Sequence, residues 1–146
     1  MNLKSKYFDC EYCQFGVNKM TTLLVCAFIA MLLPYLAKAP VAIAMNRLGG
    51  YDNRHPRAQQ TQLSGFGARA LAAHQNSFEA LTVFAVALAV VLGTNTINET
   101  TQTLAVTHII ARVAYCICYY LDWHIARSSV WLVGLVSALA MVVACI

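Results

Sequence analysis

Residues 67–93 read GARALAAHQNSFEALTVFAVALAVVLG, from Gly67 to Gly93. The two halves differ. From Ala80 to Leu92 only Thr82 is polar, whereas the first half holds Arg69, His74, Gln75, Asn76, Ser77 and Glu79. A helix needs roughly 20 mostly apolar residues to cross the hydrocarbon of a bilayer, so this stretch is long enough. Residues three and four apart share a helix face, which puts Ala72, Gln75, Asn76 and Glu79 on one stripe. Polar groups are costly in lipid and turn toward the bundle interior and a partner. The stretch therefore predicts a membrane-spanning helix with a polar stripe at one end.

Three more apolar runs lie around it, at about residues 20–45, 102–121 and 128–146. Pro34 is expected to kink the first, and Lys38, near its end, to snorkel to the interface. Gly49, Gly50 and Pro56 punctuate the long polar loop between the first two spans. Of the 146 residues 60% are hydrophobic and 11% are charged, against about 25% charged in soluble domains. The expected fold class is all-α: a four-transmembrane-helix bundle over residues 20–146, preceded by a polar N-terminal tail, 1–19. That tail lacks the apolar core of a cleavable signal peptide, and Met20 is an alternative start.

A formal charge of +4 is too small for the dense basic face of a nucleic-acid binder. Cys10 and Cys13 form a CxxC, but a zinc site needs two more ligands and none stands nearby, so no metal is expected. Cys26, Cys116, Cys118 and Cys145 fall in apolar runs, where a thiol acts as a small hydrophobe. Arg47, Arg54, Arg57, Arg69 and Arg127 flank the first and third loops, and the middle loop has no Lys or Arg. By the positive-inside rule those arginine-rich loops face the cytoplasm and both termini face away from it.

The third span carries a second polar stripe, His108, Arg112, Tyr115, Tyr119 and Asp122. A Glu79–Arg112 pair between the two spans would reduce the cost of burying either charge. Interhelical hydrogen bonding alone explains either residue singly; two stripes toward the same membrane face favour a ligand pocket. His74, off the stripe, is expected to contact a loop or a lipid headgroup. Trp123 and Trp131 read as interfacial tryptophans.

The segment Ala68 to Glu79, ARALAAHQNSFE, resembles the second-helix signature of the MAPEG family, the membrane-associated proteins in eicosanoid and glutathione metabolism. Residues 111–119, ARVAYCICY, look like that family's third helix, and 127–134, RSSVWLVG, like the start of its fourth. The chain looks most like bacterial members. The resemblance implies a left-handed four-helix bundle assembled as a homotrimer in the bacterial inner membrane. It also implies glutathione as co-substrate, bound between subunits near the cytoplasmic face. Asn76, Glu79, Arg112, Tyr119, Arg127 and Ser128 match positions that line the glutathione site. Arg127 is the implied thiolate-stabilising residue and Tyr119 the alternative. Arginines suit the two carboxylates of glutathione, Glu79 suits its ammonium, and a nearby cation lowers a thiol's pKa. Ala72 and Gln75 stand where active eicosanoid-type members carry arginines.

The expected function is a glutathione-dependent transferase or peroxidase acting on a lipophilic small molecule, an electrophile or lipid hydroperoxide, with membrane lipid as its surroundings. The alternative is a non-catalytic lipid-binding or scaffold protein of the same fold. A small transporter or channel subunit would need a polar path through the bilayer, and the polar residues here gather toward one side.

Overall fold

The computed structural model describes the backbone from Leu3 and side chains from Lys19 to Ile146. The Cys10/Cys13 pair lies outside the described side chains. Five helices follow in order: α1 Leu3–Asn46, α2 Pro56–Gln60, α3 Gly65–Gly93, α4 Glu99–Tyr120 and α5 His124–Val143. Among the described residues four segments are long and apolar enough to cross a membrane: Lys19–Asn46, Gly65–Gly93, Glu99–Tyr120 and His124–Val143. These match the expected spans to within a few residues. Helix α1 is continuous through Pro34 and Pro40 and begins inside the expected tail.

The buried side of α1 is Leu23, Cys26, Ala30, Pro34, Ala37, Val41 and Met45. Steps of three and four residues keep this seam on one side of the helix. At one end of the bundle it meets Phe84, Leu88, Val91, Ile109 and Met141 in the largest apolar core. At the other end packing uses small residues, Ala37 against Ala73 and Cys116, and Val41 and Met45 against Ala70. Membrane helices associate by close backbone approach at small residues rather than by excluding water. Gly67 shows the limit, because a Cβ there would lie 3.1 Å from Ala44 Cβ. The large side chains turn outward instead. Phe28, Leu36, Ile110 and Val143 are all exposed, as lipid-facing residues should be.

The first loop is more ordered than its glycines suggest. It contains the short helix α2, and the buried Gln59 staples it. Its Nε2 donates to the Met45 carbonyl at 3.1 Å and to the Gly50 carbonyl at 2.6 Å, and its Oε1 accepts the Asp52 N–H at 3.0 Å. Gln59→Ala would remove all three bonds and untie the loop from α1, although the Met45 carbonyl keeps the Leu48 N–H at 3.0 Å. The expected loss is about 1–3 kcal/mol, measured by reversible unfolding in mixed micelles. Asp52 Oδ1 in turn accepts the backbone N–H groups of His55 and Arg54, which hold its carboxyl below the usual range. A depressed folded pKa means that this contribution is present above the unfolded value near 4 and is lost as pH falls through the lower folded one. Asp52→Asn should remove that part of the acid dependence, and an unchanged acid limb of the stability curve would contradict it.

The turn from α4 to α5 fixes the register of everything after it. Asp122 adopts φ 61°. The Trp123 N–H returns to the Cys118 carbonyl at 2.9 Å, and the Asp122 N–H to the Tyr119 carbonyl at 3.3 Å. This is a Schellman ending with aspartate in the left-handed position usually given to glycine. Arg69 clamps it from α3. Its Nε donates to the Tyr119 carbonyl at 3.2 Å and its Nη1 lies 3.3 Å from Asp122 Oδ2.

Candidate functional site

The polar residues of α3 do not form the single working face that their spacing predicts. Asn76 and Glu79 turn toward α4 and α5 and line a cleft of about 200 Å³ with His108, Arg112 and Trp131. Gln75 turns the other way, into a pocket with Lys38 and Arg57. Neighbours in a helix sequence point about 100° apart, so a nominal stripe that includes both 75 and 76 straddles two grooves.

The expected direct Glu79–Arg112 pair is replaced by a relay. Arg112 Nη2 donates to Asn76 Oδ1 at 2.7 Å and, more weakly, to the Asn76 carbonyl at 3.3 Å. Asn76 Nδ2 donates onward to Glu79 Oε2 at 2.7 Å. Arg112 is 3% exposed, and its Nε is buried without a partner. This nitrogen has almost no surface of its own, so a ligand in the cleft would meet the terminal nitrogens of Arg112 rather than Nε. The guanidinium also lies 4.2 Å from the centre of the Tyr115 ring.

From Arg112 a chain of stacked groups runs along α4 to α5. Tyr115 meets Tyr119 edge to face at 5.0 Å, and the Arg127 guanidinium sits 4.5 Å over the Tyr119 ring. Tyr115, Tyr119, Arg127, Ser128 and Trp131 line a second cleft of about 400 Å³. Trp131 belongs to both clefts. The two together fall in the size range of small-molecule sites, roughly 300–1,000 Å³. Ser128 Oγ donates to the His124 carbonyl at 3.1 Å, so toward a ligand it is an acceptor.

Two histidines take defined roles. His108 Nδ1–H donates to the Gly134 carbonyl at 2.8 Å while its ring stacks on Phe84 at 4.6 Å. Because a carbonyl can only accept, the proton resides on Nδ1. A Cβ at Gly134 would lie 3.4 Å from Arg112 Cδ, so the glycine lets α5 approach the arginine closely. His74, expected against a loop or headgroup, donates from Nδ1 to the Pro34 carbonyl at 2.8 Å and joins α3 to α1.

The six residues singled out by sequence thus fall into two adjoining clefts: Asn76, Glu79 and Arg112 in one, Tyr119, Arg127 and Ser128 in the other. Trp131, taken from sequence as an interfacial anchor, is the wall between them. Its signal was present, since Arg127, Trp131 and Leu135 recur every four residues on one face of α5. Among the described residues no group of three or more His, Cys, Asp or Glu is placed to hold a metal.

A family model, that of the MAPEG family, matches residues 22–146. The chain belongs to the MAPEG family. It is a multi-pass integral membrane protein with four apolar, membrane-capable helices. No curated protein and no solved structure matches the chain. Within the MAPEG fold, the Tyr119–Arg127 cleft lies between α4 and α5 at the end of the bundle that carries the third loop, and the Asn76–Arg112 cleft lies at mid-bundle between α3, α4 and α5.

Proposed function

We propose that this MAPEG protein binds glutathione across the two adjoining clefts and uses it on lipophilic electrophiles or lipid hydroperoxides dissolved in the membrane. The observation that carries this reading is the Arg112–Tyr115–Tyr119–Arg127 stack. It places two permanent cations at opposite ends of one aromatic wall, with a carboxylate, Glu79, held beside the inner one through Asn76. Glutathione has a matching charge pattern of two carboxylates, one ammonium and one thiol. Arg112 suits a carboxylate; Glu79 suits the ammonium; Arg127 suits the thiolate. In conjugation the sulfur forms a bond to carbon, the leaving group departs with the electron pair, and the thiol proton passes to water. In peroxide reduction the sulfur attacks one peroxide oxygen and the O–O bond breaks to release an alcohol. A second glutathione then converts the sulfenate to disulfide and water.

Glutathione-dependent conjugation of a generic aryl halide by the purified protein tests the reading. Binding without turnover would favour the lipid-binding or scaffold alternative. Gln75 lends that alternative support, because it lies in a different groove from Arg112.

Both clefts are open along one side, and a neighbouring copy would close them. The assembly proposed is the homotrimer of the family resemblance. Mass measurement in detergent should give three copies, and a monomer at every concentration would refute it. The proposed setting is a bacterial inner membrane with both termini on the non-cytoplasmic side. Cysteines introduced at Asn53 and Thr100, with the native cysteines replaced, should react with an impermeant maleimide from opposite sides. Labelling of both from one side would overturn the orientation.

A further inference from the structure

A third polar cavity lies on the opposite side of α3, between the first loop and helix α1. Its lining includes Lys38, Tyr51, Arg57, Thr61, His74 and Gln75, and its volume is about 530 Å³. No Asp or Glu lines it. The salt bridges among the described residues, Lys19–Glu99 and Arg69–Asp122, leave Lys38 and Arg57 out. Thr61 Oγ1 is spent on the Ala58 carbonyl at 2.7 Å, but two cations, the Tyr51 hydroxyl and the amides of Gln60 and Gln75 converge without an anion, an arrangement that fits a phosphate group.

The depth of the pocket points to where that phosphate comes from. Lys19 and Lys38 bracket an uncharged run from Met20 to Ala37. At 1.5 Å per residue the two lysines stand about 28 Å apart along α1, close to the roughly 30 Å of a bilayer's hydrocarbon. Lys38 thus marks the hydrocarbon boundary, where lipid phosphates lie. An apolar track leads from the pocket toward the hydrocarbon. The His74 ring, in the pocket wall, meets Phe78 edge-on at 5.3 Å, and Phe78 meets Tyr35 edge-on at 5.9 Å. Tyr35 is 67% exposed and Phe78 40%. Tyr35 stands three residues before Lys38, on the same face of α1.

We propose that this pocket is a binding site for the phosphate of an anionic phospholipid, held by Lys38 and Arg57 with an acyl chain along Phe78 and Tyr35. The site is separate from the clefts around Arg112 and Arg127 and does not depend on their chemistry. Lipid retention in native mass spectra and the melting temperature in detergent test it, with phosphatidylglycerol, phosphatidylcholine and inorganic phosphate as probes. Phosphatidylglycerol should be retained and raise the melting temperature, and the other two should do neither. Each basic residue near an anionic surface contributes about a factor of five in affinity, so Lys38→Gln with Arg57→Gln should weaken retention about thirtyfold. Arg54→Gln, an exposed loop cation, should leave retention within about twofold. Equal retention of phosphatidylcholine overturns the proposal, as does undiminished phosphatidylglycerol binding by the double variant. Equal stabilisation by inorganic phosphate would assign the pocket to a soluble anion and overturn the lipid. The comparison of probes on the wild-type protein decides even if the double variant does not fold.

Discussion

Asn76→Leu is expected to destabilise the bundle by about 3 kcal/mol, near the lower end of the cost of breaking a buried charged pair. Leucine nearly matches asparagine in shape, so the change removes the hydrogen bonds with little repacking. Arg112 would lose its 2.7 Å bond to Asn76 Oδ1. It would keep only the backbone carbonyl at 3.3 Å and the Tyr115 ring, with Nε already unpartnered. Neutral interhelical hydrogen bonds in membranes average only about 0.6 kcal/mol, which would argue for a small effect. The guanidinium charge decides otherwise, because the unfolded helix lets it snorkel to the interface while the bundle holds it inside. Glu79 is exposed on its cleft and touches the arginine only through Asn76. Glu79→Ala should therefore cost about 1 kcal/mol or less, well under the cost of removing a direct partner. Unfolding in mixed micelles measures both. A Glu79→Ala loss equal to that of Asn76→Leu would restore the direct pair. In a double-mutant cycle with Arg112→Met, additive losses at positions 76 and 112 would remove the coupling altogether.

The same residues show what could be seen in the sequence. The spans were legible because apolar length in units of 1.5 Å is a strong constraint, and few charges interrupt those runs. The stripe of α4 was legible too: His108, Arg112 and Tyr115 are buried together, as steps of four and three require. The stripe of α3 was legible only in part. Periodicity gives a direction within about half a face, and the border between two grooves runs between Gln75 and Asn76. Nor could spacing reveal that an amide, rather than a carboxylate, meets Arg112, since positions 76 and 79 share a face and only the depth of each side chain chooses between them. The Gln59 staple left no periodic trace. A lone glutamine in a polar loop reads as solvated until its distances to three backbone groups are known. Trp131 shows a different difficulty: tryptophan is common at the membrane boundary, and that general expectation says nothing of its place on the Arg127 face, where it lines both clefts.

If the proposed chemistry holds, Arg127→Ala should lower turnover of the glutathione conjugation roughly a hundredfold, the loss typical of deleting one group that stabilises developing anionic charge. A free thiol with pKa near 8.5 is only a few per cent thiolate at pH 7. The permanent charge of arginine stabilises that thiolate without a proton change of its own. The pH at which the bound thiolate forms should therefore rise in the variant, together with the fall in rate. Tyr119 enters through the stack. Its ring carries the Arg127 guanidinium at 4.5 Å, and its backbone carbonyl is held by Arg69. Tyr119→Phe keeps the ring and so keeps Arg127 in place; most activity should survive. Tyr119→Ala removes the platform and should lose activity while Arg127 is still present. A hydroxyl donor would behave differently, with Tyr119→Phe as damaging as Tyr119→Ala and the thiolate titration shifted in both. If Arg127→Ala leaves both the rate and the thiol's titration unchanged in a protein that binds glutathione, the assignment of the thiolate to Arg127 fails. If wild-type protein binds no glutathione at millimolar concentration, the lipid-binding or scaffold reading takes the lead. Arginine at position 75 would not reverse that result, because this position faces the Lys38 and Arg57 pocket and not the two clefts.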